Sequence, residues 1–315
     1  MKRACREAFA ATLLGCAQID RDIIVVTTDS RGSSLLGKYA QVLPDQFVET
    51  GIAEQNAVGI AAGLASCGKK TFVCGPASFY STRSLEQIKN DVAYTGTNVK
   101  IICVSGGVAY GALGSTHHSL HDIAVFRAIP GISIIIPSDA RQTETAIKYL
   151  SETDGAVYMR FGRAAVPDIY GETAEDHTTF RFCKGNVLKD GTDVTIAACG
   201  QMVYYALQAD VALSAEGISA RVLDLPTVKP LDEKLVHAAA AETGAIITVE
   251  EHSVYGGLGG AVAEVCGSVC PVPLTILGIP DEPAFTGSQL EVFDHYGLNA
   301  SGIAKAAKTL LARKL

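Results

Sequence analysis

The sequence predicts an α/β fold of two doubly wound domains with largely parallel sheets, and three observations predict it. Apolar, β-branched runs of strand length alternate with segments of helical period, which is the pattern of β-α-β units. Those runs are apolar at successive positions rather than at every second one, as in strands covered by helices on both faces. The alternation breaks between Gly162 and Lys184, where Pro167, Gly171 and the polar stretch 172–179 intervene, and then resumes. That break divides 315 residues into two units of ordinary domain size.

The first unit opens with a helix over 4–19 and a strand over 22–28, which stops at the loop Asp29-Ser-Arg-Gly-Ser-Ser. A strand ending in a polar, glycine-containing loop is a site-building unit. Residues 46–49 read as a short strand. Residues 53–67 read as a helix with almost no charge after its first turn, and such a helix must be buried on every side. Strands follow at 71–74, 99–104, 132–136 and 156–160, with helices near 84–94, 121–128 and 139–150. In the second unit, strands at 193–198, 220–223, 245–249 and 272–277 alternate with helices at about 201–215, 231–242, 258–268 and 301–312. No repeat at a period of 20 to 50 residues links the halves.

Apolar residues (AVILMFWYC) make up 48% of the chain and charged residues 19%, which excludes long disordered segments. The net charge is −7 and no Lys/Arg cluster exceeds a pair, arguing against nucleic acid or an anionic membrane as the main partner. Any bound phosphate must be held by a few placed side chains. Nine cysteines form no Cys-x-x-Cys, and several lie in apolar runs, as reduced, buried thiols do. The N-terminus lacks a signal-peptide pattern, and no apolar stretch reaches the roughly 18 residues of a membrane span. A soluble, cytoplasmic protein is expected. The apolar and small residues, with 31 glycines and no Trp, suggest a large subunit interface.

Doubly wound sheets invite nucleotides, yet neither a strand-to-helix Gly-x-Gly-x-x-Gly nor a P-loop occurs. The late run Tyr255-Gly-Gly-Leu-Gly-Gly is explained as well by close packing as by a dinucleotide. Glu54 stands in the first turn of the uncharged helix 53–67. It could merely compensate the helix dipole, but a carboxyl set against a buried surface is also suited to proton traffic. The glycine-rich loop 106–121, after the strand 99–104, carries His117, His118 and His121. These can serve as substrate or proton-transfer histidines, as surface residues, or less simply as metal ligands, since no His-Glu-x-x-His accompanies them. No Ser-His-Asp nucleophile and no Gly-x-Ser-x-Gly is legible.

Six segments, in order along nearly the whole chain, carry a resemblance. They are Gly51-Ile-Ala-Glu-Gln-Asn-Ala-Val-Gly-Ile-Ala-Ala-Gly-Leu-Ala, Phe79-Tyr-Ser-Thr-Arg-Ser-Leu-Glu-Gln-Ile, Gly114-Ser-Thr-His-His, Ile135-Ile-Pro-Ser-Asp, Arg221-Val-Leu-Asp-Leu-Pro-Thr-Val-Lys-Pro-Leu and Glu250-Glu-His-Ser-Val-Tyr-Gly-Gly-Leu-Gly. Together they resemble the C-terminal half of a transketolase. The resemblance implies a pyrimidine-binding domain over 1–165, a linker over 166–186 and the family's C-terminal domain over 187–315. It also implies thiamine diphosphate, whose aminopyrimidine, held as the imino tautomer, lets the cofactor deprotonate its own thiazolium. Glu54 matches the glutamate that drives that tautomer. Tyr80 matches an aromatic residue packed on the pyrimidine, with Arg83 beside it, and Asp29 a cofactor-side or interface position. Arg3, Ser33 and Arg163 match residues that hold a sugar phosphate, with Arg160 a further candidate nearby, and His117 matches a histidine that contacts ketose hydroxyls.

Three departures from the resemblance follow. Leu113 stands where relatives usually carry an acid reading a sugar hydroxyl, and Ser105 where a second substrate histidine is usual, so a branched or otherwise unusual ketose phosphate is an open alternative. The Gly-Asp-Gly that places Mg²⁺ and the diphosphate is absent. The expected arrangement is therefore a split transketolase, in which a separately encoded N-terminal subunit supplies the diphosphate and Mg²⁺ half and the chains self-associate as a heterotetramer. A thiamine-dependent 2-oxo acid dehydrogenase β subunit and a non-catalytic scaffold are the competing readings. The arginines and the Gly-Ser-Thr-His-His loop favour the sugar enzyme over the first, and Glu54, Tyr80 and His117 together speak against the second.

Overall fold

The structure, a computed structural model, describes residues 2–171 and 179–314. Of the expected polar stretch, 172–178 lie outside the described residues.

The first sheet has seven strands: β2 (Ile23–Thr27), β3 (Phe47–Glu49), β4 (Lys70–Pro76), β5 (Val99–Val104), β6 (Ile132–Ile135), β7 (Ala156–Phe161) and β12 (Thr227–Lys229). Their order is β12-β6-β7-β5-β4-β2-β3, and all pairs are parallel except β12 with β6. The strands β2, β5 and β7 are buried along their whole length, as their predominantly apolar sequences require. The second sheet has β9 (Asn186–Lys189), β10 (Val194–Ala198), β11 (Ala220–Asp224), β13 (Ile246–Ser253) and β14 (Leu274–Ile279), in the order β14-β13-β10-β11-β9 with only β9 antiparallel. The helices of the first domain begin with α1 (Cys5–Ile19), close to its expected bounds, and the short α2 (Gly37–Val42).

Four findings differ from the sequence reading. The strand β12 belongs to the second half of the chain but pairs with the first sheet. A short strand β8 (Ala165–Pro167), at the start of the expected linker, pairs antiparallel with β1 (Lys2–Ala4), so the chain's first residues are tied down. The helix α3 (Glu54–Ser66) is not covered on every side: Ala57, Val58, Ala61 and Ala62 are buried, whereas Gln55, Asn56, Gly59 and Gly63 form an exposed, uncharged face. Among the described residues nothing covers that face; its small residues leave a flat strip on which another surface can lie. The helix expected near 84–94 begins earlier, as α4 (Ala77–Arg83), directly after the proline that ends β4, and it continues as a short turn and a wider π-type turn over Ile88–Tyr94.

Candidate active site

Two neighbouring strands of the first sheet, β2 and β4, send their connections in opposite directions. From β2 the chain runs outward to β3, and from β4 inward to β5. The crevice at the carboxyl ends of such a pair is where open α/β sheets bind ligands. A cleft of about 260 Å³ lies there, lined by Thr28, Asp29, Ser30 and Ser33 after β2, Ile52 and Glu54 before and in α3, Pro76 at the end of β4, Phe79 in α4, and Tyr110, Leu113 and His117 from the loop after β5. A larger hollow of about 620 Å³, around Lys229, Lys234 and His237, contains none of these residues.

Glu54 is 4% exposed at the first position of α3. Arg83, at the last turn of α4, donates from Nη1 to both of its oxygens at 3.2 Å, and the guanidinium also lies over the Phe79 ring at 4.2 Å. The His117 ring meets the edges of Phe79 and Tyr110, with centroids 5.4 and 5.7 Å apart, and its Nδ1 is 2.9 Å from Thr116 Oγ1. The cleft thus brings together a buried carboxylate, an aromatic face and an imidazole. Asp29 is on its rim in a left-handed conformation (φ 53°), its N–H donating to Glu49 at 2.7 Å. Such a conformation is uncommon outside glycine and is often found at functional sites.

Ser33 Oγ is 3.2 Å from the Tyr110 hydroxyl, and the Arg163 guanidinium lies 4.4 Å from the centre of the Tyr110 ring. Arg6 donates to the Ser33 carbonyl. Asp29, Ser33, Glu54, Arg83, His117 and Arg163 therefore converge on one cleft and its rim.

Three expected residues do not. Tyr80 is fully buried, packed against Gly75 with its hydroxyl 3.4 Å from Thr28 Oγ1, because one residue along a helix turns the side chain about 100°. Phe79, not Tyr80, faces the cleft. Arg3 forms an ion pair with Glu144 and does not line the cleft. Arg160 is 3% exposed and is held by Asp122 at 3.1 Å and by the carbonyls of Ser119 and Glu251, so it braces the histidine loop from below. The Tyr158 hydroxyl donates to the same Asp122. The charge of Arg160 and these hydrogen bonds hold the Asp122 carboxyl below the usual carboxylate range despite its burial.

The other two histidines of the loop bond within the protein, His118 inside the loop and His121 to α4. His118 Nε2 is 3.1 Å from the Gly111 carbonyl, and His121 Nε2 is 3.3 Å from Ser81 Oγ, with burial lowering its pKa. The glycine run 255–260 has its ligand position filled from within. The Glu250 carboxylate accepts the N–H groups of Leu258 and Gly259, at 2.7 Å each, at the start of the helix Leu258–Val269, which is the position a phosphate would need. A Cβ at Gly257 would lie 2.0 Å from that carboxylate.

Thr28, Ser30, Ile52, Phe79 and Tyr110 also line the cleft, and sequence alone does not single them out. Phe79 and Tyr110 stand beside expected site residues or within the expected loop, and only the helical phase of α4 and the fold of the loop select them.

The model of the transketolase pyrimidine-binding domain matches residues 1–168, and that of the transketolase C-terminal domain matches 183–303. The chain is 58% identical over 304 residues to one of the subunits of the apulose-4-phosphate transketolase of Phocaeicola vulgatus, covering 96% of each chain. It is 38% identical to a 6-deoxy-6-sulfo-D-fructose transketolase subunit of a Clostridium species, covering 98% of this chain and 95% of that one. Among solved structures, a split-gene transketolase described as an inactive β4 tetramer is similar over all of both chains, with TM-score 0.90 and 38% identity.

Proposed function

This chain belongs to the transketolase family as a C-terminal subunit, and from that premise we propose that it transfers a two-carbon ketol unit from an unusual ketose phosphate to an aldose phosphate only when joined to a separately encoded N-terminal subunit. The family depends on thiamine diphosphate, which when bound supplies a carbanion equivalent for breaking and rejoining the carbon–carbon bond beside a ketose carbonyl. The donor set of the cleft fits the aminopyrimidine end of that cofactor: the Glu54 carboxylate can exchange a proton with a ring nitrogen, and Phe79 offers a flat apolar face. Among the described residues no group of three or more His, Cys, Asp and Glu is placed to hold a metal ion. We assign Mg²⁺ and the diphosphate to the N-terminal subunit. Asp29 belongs to the rim between the two chains.

The single observation that carries this reading is the cleft itself, with the buried Glu54 carboxylate and the His117 imidazole in its lining and an uncovered helix face beside them. Arg163 and Ser33 hold the sugar phosphate, through charge-assisted bonds and the Tyr110 hydroxyl. His117 contacts the ketose hydroxyls. Leu113, apolar and 54% exposed on the cleft, rewards no hydroxyl at its position. Together with the 58% identity to the Phocaeicola subunit, this supports apulose 4-phosphate as donor. Nine free cysteines support a reducing compartment, the cytoplasm, as its location. Among the described residues no helix is long and apolar enough to cross a membrane.

The test is reconstitution. The chain mixed with an N-terminal transketolase subunit, Mg²⁺ and thiamine diphosphate is expected to transfer the ketol unit from apulose 4-phosphate, while the chain alone is inactive. Gly63→Glu, on the open face of α3 where a Cβ meets nothing within 4 Å, is expected to leave the isolated chain folded and abolish assembly. Activity of the isolated chain, or assembly undisturbed by Gly63→Glu, would overturn the proposal.

A further inference from the structure

The second sheet has a switch point of its own. From β10 the chain runs to β11 on one side, and β13 lies on the other, so the crevice at the carboxyl ends of β10 and β13 is the position where such a sheet would receive a ligand. Here it receives the histidine loop of the first domain. Glu251, near the end of β13, is 7% exposed and points its carboxylate at the base of that loop. Its Oε1 accepts the Val108 N–H at 2.8 Å and Gln289 Nε2 at 2.8 Å, and its Oε2 accepts Gln201 Nε2 at 2.6 Å. A Cβ at Gly107, which has φ 61°, would lie 2.3 Å from Glu251 Cγ, so only glycine lets the loop come this close.

The same domain touches the tip of the loop. A Cβ at Gly111 would lie 2.4 Å from the Gly287 carbonyl, and one at Gly114 would lie 3.3 Å from Thr286 Oγ1. Gln289, two residues past Gly287, joins tip and base through its bond to Glu251. The loop closes on itself through paired bonds between Gly107 and Ser119, and between these two anchor points it presents Tyr110, Leu113 and His117 to the cleft.

We infer that Glu251, with Gln289, is a positioning residue for sugar recognition: the C-terminal domain sets the His117 loop against the cleft by lending it a buried carboxylate where its own sheet would bind a ligand. The inference rests on the transketolase reading for its kinetic consequence but not for its structural one. Glu251 touches neither the cleft nor Glu54, so its loss acts on the sugar and not on the cofactor.

Two measurements test it. In the isolated chain, hydrogen exchange of the amides from Val108 to Ser119 is expected to quicken about tenfold or more in Glu251→Ala, as the loss of one buried bond to a charged group implies, while β2 and β4 stay protected. Glu251→Gln keeps an acceptor for Val108 and restores protection; Gln289→Ala, a milder change, shifts exchange in the same direction as Glu251→Ala. In the reconstituted enzyme with apulose 4-phosphate, Glu251→Ala is expected to raise KM about tenfold with thiamine diphosphate affinity unchanged, and its effect is not additive with that of His117→Ala. Unchanged loop exchange in both Glu251→Ala and Gln289→Ala, additive effects, or failure of Glu251→Gln to rescue would overturn the inference. Loss of ketol transfer in the wild-type complex would instead count against the transketolase reading and leave the exchange measurement to decide the role of Glu251.

Discussion

The Arg83 guanidinium donates from a single nitrogen to both oxygens of Glu54, at 3.2 Å each, from a side chain that is itself 48% exposed. The contact neutralises a buried acid without locking it in a two-nitrogen fork, so the carboxylate can turn to a ligand while Arg83 swings into solvent.

Glu54→Gln keeps the shape and removes the acid. Ketol transfer by the reconstituted enzyme is expected to fall by roughly 10²–10⁴-fold, the usual worth of a positioned acid or base. Calorimetric titration of the complex with thiamine diphosphate and an activity assay check it together, and full activity would remove Glu54 from the mechanism.

Phe79 and Tyr80 separate the cleft from the core. Phe79→Ala is expected to weaken thiamine diphosphate binding about tenfold, through lost area and ring contact. Tyr80→Phe removes a 3.4 Å hydroxyl contact in the interior and leaves that affinity unchanged. The reverse pattern in the titrations would put Tyr80 on the ligand.

The arginines divide in the same way. Arg163→Ala is expected to raise KM for the sugar phosphate by about 10–100-fold, the loss of a charge-assisted bond. Arg3→Ala breaks a half-exposed ion pair with Glu144, and its cost is confined to under about 1 kcal/mol of stability, with KM unchanged. Steady-state kinetics beside thermal melts distinguish the two.

Asp224 provides a pH test. At the end of β11 it is fully buried; its Oδ2 accepts from Tyr170, Gln142 and Ser138, at 2.6, 2.7 and 3.2 Å, and its Oδ1 has no partner among the described residues. Burial pushes its carboxyl up to about 7 against those donors. Because the folded chain holds this proton more tightly than the unfolded one, the contribution is complete below the ordinary carboxyl range and is lost as pH rises through about 7. Denaturant melts are expected to show stability falling from pH 4 to pH 7, and Asp224→Asn to flatten that limb; an unchanged slope in the variant would assign the effect elsewhere.

The parallel strands of both sheets are legible in the sequence because they are predominantly apolar, whereas the antiparallel β9 and β12 are not; the carboxylate at the start of α3 stands out because almost no charge follows it. What sequence does not resolve is phase and partnership. Whether Phe79 or Tyr80 reaches the cleft depends on where α4 starts. Arg3 and Arg160 are arginines in suitable places, yet Glu144 and Asp122, distant in sequence, take them. Glu251 signals itself only as an acid at the end of an apolar strand, since its partners come from three separate segments. The uncharged helix 53–67 reads as wholly enclosed; in the single chain Gln55, Asn56, Gly59 and Gly63 face outward, because a lack of charge does not reveal which side of a helix the chain itself covers.

The strand Thr227–Lys229 crosses from the second half of the chain to close the edge of the first sheet against Ile132–Ile135. A gene cut between the halves at the polar segment would leave that hydrophobic edge open, with unpaired backbone groups ready to recruit a foreign strand. Fragment exchange and domain grafting of this protein therefore have to carry residues 227–229 along with the first half, whatever the apparent boundary near residue 165 suggests.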